Sequence, residues 1–152
     1  MKKAMGKVMV RKAVTFLLLV VFVFAFAAAA AAERQRFGNI SADVPEGWVT
    51  QAAGNQVTFM APDNVAALMI IVEQIPGTTT GDVAADLSQS HNGSTPADVG
   101  GGTYVFSFQD TPEIENHVVV VGIEGTDFYM MWVIGGEHPQ LEALIESVEW
   151  VD

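Results

Sequence analysis

The sequence predicts an α+β domain in which an antiparallel β-sheet is flanked by helices. Three observations lead there. Short β-branched and aromatic runs recur with tight turns between them, and consecutive strands joined by short turns pair antiparallel. Two segments carry helical period, one in mid-chain and one near the C-terminal end. The order that results is strands, helix, strands, helix, the layout of the α+β class.

The chain of 152 residues opens with a basic head, Lys2, Lys3, Lys7, Arg11 and Lys12. An apolar run from Ala13 to Ala32 follows, broken only by Thr15. Ala30 and Ala32 fill the small-residue positions before a cut at Glu33. Basic head, apolar middle and small-residue end predict a secretory signal peptide over residues 1–32. The alternative is an uncleaved anchor, since about 20 apolar residues can span a bilayer; the alanine-rich end favours cleavage. The destination is extracytoplasmic, periplasmic or secreted. With no cysteine in the chain, neither a lipid anchor nor a disulfide is available, so no membrane attachment is expected after cleavage. Residues 33–39 are polar and expected to be a loose N-terminal segment. Residues 40–152 are long enough for one domain with a real core.

Cleavage changes the charge sharply. Five of the seven basic residues lie in the leader and none of the eighteen acids do, which leaves Arg34 and Arg36 and a formal −16 for residues 33–152. Such a field repels nucleic acid and anionic membranes. It suits solubility, a basic partner or a divalent cation.

The elements follow in turn. Ile40–Val44 reads as a short strand ended by Pro45, and "PEGW" as a turn with Pro fixing φ and Gly supplying freedom. Val49–Gln51 starts the return, and Gly54-Asn55 reverses the chain again. In "QVTFMAP", Val57 and Phe59 face one side and Thr58 and Met60 the other. "AALMIIVEQIP" (66–76) is a continuous apolar strand. "TTTGDVAADLSQSHNG" changes period: Thr79 and Asp82 stand at capping-box spacing, Val83, Ala84 and Leu87 form a narrow stripe, and Asn92-Gly93 is the stop. Tyr104, Phe106 and Phe108 alternate in the next strand. Residues 114–136 form a hairpin turning near Gly125. The last segment places Leu141, Leu144, Ile145 and Val148 at i, i+3, i+4 and i+7, with Pro139 at the first helical position.

Val118–Ile123 and Phe128–Ile134 are apolar at nearly every position, so these strands want cover on both faces. The C-terminal helix supplies one cover. The thin stripe of the first helix leaves part of the other face to loops, a partner or a ligand. Trp48 at the first turn reads as a core anchor, with a ligand-stacking surface residue as the other option. Trp132 and Trp150 read as packing residues.

The element order resembles the PsbP-like and DcrB-like group of small α/β/α sandwich domains, whose bacterial members are exported. The resembling features are the "VPEGW" turn at Val44–Trp48, "QVTFMAP", the buried "AALMIIV", the helix "TGDVAADL" and the terminal "PQLEALIESVEW". The resemblance covers most of residues 40–150. It implies an accessory or binding protein and not an enzyme.

The residues agree with that expectation. There is no Gly-x-Ser-x-Gly, no phosphate loop and no lysine after the leader. Ser90, His91 and Ser94 cluster at a helix end, where such residues cap. One set has metal chemistry: Glu113, Glu115 and His117, spaced by two in an expected strand, would share a face and could ligate a divalent ion. The plainer reading is a charged strand edge that discourages aggregation. The function expected is an exported, non-enzymatic accessory domain without a cofactor. It would act on an unidentified protein or small ligand, with self-association allowed. A divalent-metal-binding or ion-tuning accessory protein is the alternative.

Overall fold

The structure, a computed structural model, describes residues 32–152; the expected leader lies outside the described residues except for Ala32. In chain order the strands are β1 (Ala32–Phe37), β2 (Ile40–Pro45), β3 (Val49–Ala53), β4 (Gln56–Met60) and β5 (Ala66–Gln74). After them come α1 (Thr80–Ser90), β6 (Ala97–Gly100), β7 (Thr103–Thr111), β8 (Ile114–Gly122), β9 (Phe128–Gly136), α2 (Leu141–Ser147) and β10 (Glu149–Trp150). The α+β class is as expected. Neighbouring strands are antiparallel throughout.

The strands form two sheets where one was expected. The larger has the order β3-β4-β5-β9-β8-β7-β6 and the smaller β1-β2-β10. The small sheet exists because β2 has apolar residues to hide. Ile40, Ala42 and Val44 alternate along it and all join the main core. Phe37, at the end of β1, meets the ring of Phe59 edge-on at 5.4 Å.

The loose segment expected at residues 33–39 is corrected by β1, which pairs along its length with β2, from Ala32 opposite Pro45 to Phe37 opposite Ile40. Arg34 ties it down. Its guanidinium donates to Asp43 at 3.1 Å and Ser41 Oγ at 2.7 Å, and it pairs with Glu149 on β10. The charged groups Arg34, Asp43 and Glu149 are exposed, so the ion pairing contributes no more than about 1 kcal/mol. A polar strand held by backbone ladder and an exposed arginine has no apolar period to announce it.

The core lies on both faces of the large sheet. On one face, Phe59, Leu68, Ile70 and Trp132 are completely buried, under α2 and the small sheet. On the other face, Phe106, Val118, Val120 and Met131 are buried beneath Val83 and Ala84 of α1.

Both helices follow from local chemistry. α1 starts with a reciprocal capping box: the Asp82 amide donates to Thr79 Oγ1 at 3.2 Å, and the Thr79 amide donates to Asp82 Oδ2, also at 3.2 Å. The Thr79 hydroxyl, then its backbone N–H, hold the Asp82 carboxyl below its ordinary value. α2 begins later than the periodicity suggests. Pro139 sits in a turn closed by the Leu141 amide donating to the His138 carbonyl at 3.0 Å, and Gln140 is the N-cap. Val148 has left the helix but is still buried.

Trp48 is 8% exposed. Its amide donates to the Pro45 carbonyl at 3.2 Å, closing the turn. Its indole Nε1 donates to Gln140 Oε1 at 3.2 Å, and the His138 ring lies edge-on at 5.2 Å. The aromatic at the first reversal therefore fastens that turn to the start of α2.

Candidate functional site

Residues directly opposite in an antiparallel pair share a face, so the strand register reads out the α1 side of the large sheet. One row runs Gln51, Thr58, Met69, Val133, Val118, Phe106. The next begins Ala53, Gln56, Ile71, Met131. α1 packs on β7 and β8, so the right-hand end of each row is buried. Cover ends at β9: Met131 is buried, whereas Val133, Met69, Ile71 and Met60 are only half-buried. At the far end Val49 is 63% exposed. The uncovered half of this face is thus an apolar strip, rich in methionine, over β4, β5 and β9. It meets the expectation that one face beside the 118–134 hairpin would want further cover.

The strip has a polar margin. Gln51 and Gln56 are exposed and Thr58 is half-buried. At its upper end Asn116 lies over the backbone of Gly135. A side chain at Gly135 would place Cβ 2.6 Å from Asn116 Oδ1, so the glycine makes room for the amide. Methionine side chains on such a surface adapt to different apolar partners.

The residues singled out for metal chemistry are divided between a turn and a strand. Glu115 and His117 lie on β8, opposite Gln109 and Ser107. Glu113 lies in the turn before β8, so the shared strand face expected for all three is corrected. The register slips between Gln109 and Thr111, pairing resumes at Thr111 opposite Ile114, and Pro112 and Glu113 form the turn between the strands, which leaves Glu113 outside the ladder. Among the described residues no group of three or more His, Asp or Glu side chains is arranged to hold a metal ion.

The Ser/His cluster at the end of α1 is occupied by structural bonds. Ser90 Oγ donates to the Asp86 carbonyl at 2.7 Å and Ser88 Oγ to the Ser94 carbonyl at 2.6 Å. Ser94 Oγ accepts from the Ser107 amide at 2.9 Å. His91 stacks on Phe108 with ring centroids 4.7 Å apart. The uncovered strip was foreseeable in part from the all-apolar strands. The location of its edge was not, because it depends on where α1 stops.

A seven-stranded antiparallel sheet with one helix on each face and a small second sheet defines the PsbP-like fold, and comparison with solved structures gives the same answer. A protein of Bacteroides thetaiotaomicron matches with TM-score 0.50 and 14% identity over 82% of this chain; the chain spans 50% of that protein's length. Cyanobacterial PsbP (CyanoP) from Synechocystis sp. PCC 6803 matches with TM-score 0.50 and 13% identity, over 86% of this chain and 99% of its own. The Ran-binding protein Mog1p of Saccharomyces cerevisiae matches with TM-score 0.50 and 12% identity, over 80% and 97%. At these identities the likeness is one of fold. No protein-family model and no curated protein sequence matches the chain. Among the described residues no helix is long and apolar enough to cross a membrane.

Proposed function

We propose that this chain is an exported, non-enzymatic accessory domain that binds a partner protein through the uncovered face of its large sheet. The observation that carries the reading is the half-buried strip Met60, Met69, Ile71 and Val133, bounded by Gln51, Gln56, Thr58 and Asn116. An apolar centre with a polar margin is the anatomy of a protein interface. A neighbour in fold is a Ran-binding protein, so protein recognition is a use to which this architecture has been put. Export rests on the basic head, apolar run and alanine-rich end of residues 1–32. The non-enzymatic reading is supported by the structural hydrogen bonds of Ser88, Ser90 and Ser94 to backbone groups and by the stacked position of His91.

The test compares wild type with Met69→Glu, each tagged and purified from its native envelope. Wild type is expected to retain one protein in stoichiometric amount. The variant is expected to lose it while keeping the wild-type circular dichroism spectrum. Equal retention by Met69→Glu and by a Met60→Glu/Met69→Glu double variant refutes the proposal.

A further inference from the structure

The described sheets have four edges, and three of them are blunted. β6 is short, follows Pro96, carries Asp98 and is bulged between Asp98 and Gly100. β1 carries Glu33, Arg34 and Arg36, and β10 is only two residues long. Such features keep strand edges from pairing with other chains. β3 has none of them. Its sequence is Val-Thr-Gln-Ala-Ala, and four of its five residues are exposed. It lies within Gly47–Pro62, the longest run without Asp, Glu, Lys or Arg among the described residues.

The free backbone groups of this edge can be assigned. The Val72 amide donates to the Asn55 carbonyl at 2.9 Å. In β4 the odd-numbered residues therefore bond toward β5 and the even-numbered ones toward β3, since antiparallel bonding alternates. Gln56, Thr58 and Met60 stand opposite Ala53, Gln51 and Val49, so those three β3 residues spend their backbone groups on β4. Thr50 and Ala52 point theirs outward.

From this we infer that β3 is a self-association edge. Two copies pair β3 to β3 antiparallel about a two-fold axis at Gln51. Thr50 of one copy bonds Ala52 of the other, and the reverse, giving four backbone hydrogen bonds. Gln51 faces Gln51 of the second copy, and Val49 lies beside Ala53 of the second copy. A second copy is the occupant because of charge. Residues 33–152 carry a formal −16, so an edge evolved to meet a basic partner would gain from acids at the contact. Two such chains can touch only where acids are absent, and that is the composition of this edge. The inference goes beyond the partner-binding reading. The paired edges would place two uncovered faces side by side in one continuous sheet.

Sedimentation velocity on the purified protein at chain concentrations on the order of 100 µM, high enough for a small interface, tests it. A dimer is expected, and it strengthens with salt as the Debye length falls from about 10 Å at 0.1 M to about 3 Å at 1 M. Ala52→Pro, which removes an outward N–H, is expected to abolish it. Gln51→Glu and Gln51→Lys each weaken it about fivefold, because like charges directly opposite repel. Mixing those two variants restores it, a readout that does not depend on Ala52→Pro folding. Asp98→Asn, on the opposite edge, changes nothing. A monomeric wild type, a dimer indifferent to positions 51 and 52, or variants that fail to rescue each other overturns the inference. Met69→Glu leaves the dimer intact, so its failure to bind a partner is a separate outcome.

Discussion

Trp48 joins a reversal near the start of the domain to a helix near its end. Replacing it with alanine empties a site that is 8% exposed, and the expected loss is about 3–5 kcal/mol in urea unfolding. Trp48→Phe keeps most of the volume but gives up the bond to Gln140, at about 1 kcal/mol. Thr103 offers the opposite case. Its side chain is completely buried at the start of β7 and its hydroxyl has no hydrogen-bond partner among the described residues. Thr103→Val keeps the shape and removes the unpaired group, so the urea midpoint is expected to rise by the equivalent of about 1 kcal/mol. The role of Trp48 was legible because Pro45 and Gly47 define the turn that folds it inward. The unpaired hydroxyl of Thr103 was not, because whether a polar atom finds a partner is decided by neighbours remote in sequence. The same holds for Glu113, whose even spacing from Glu115 implied a strand, whereas the pairing of Thr111 with Ile114 makes it a turn residue.

At the scale of elements, the start of α1 was legible, since its capping box is written in four consecutive residues. It also carries a pH signature. The folded pKa of Asp82 is depressed by the hydrogen bonds from Thr79. Its contribution is therefore complete above the ordinary carboxylate value of 3.8 and disappears as pH falls through the lower folded value. Asp82→Asn is expected to reduce the acid sensitivity of α1, measured as hydrogen exchange at Val83–Leu87 across that range. β1 and β10 were hidden for different reasons. β1 is polar, and its ladder is made by β2 rather than by its own pattern. β10 is two residues long and follows directly on a helical period that places Val148 correctly in the core although the helix has ended. Arg34→Ala is expected to raise hydrogen exchange in residues 33–37 while β5, β8 and β9 keep their protection.

For the whole molecule, the two faces of the large sheet are unequally covered, and function is read from that imbalance. α2 and the small sheet close one face, while α1 closes only the β7–β8 half of the other. The leader reading has its own check: intact mass of the protein recovered from the envelope is expected to correspond to a chain beginning at Glu33. The partner-binding claim is tested most directly by site-specific photo-cross-linking in the native envelope, with the reactive group placed in turn at positions 69 and 36. Position 69 lies on the uncovered strip and position 36 on the exposed β1. The expected result is a single cross-linked partner from position 69 and none from position 36. Cross-links of equal yield and identity from both positions, or none from position 69, contradict the account.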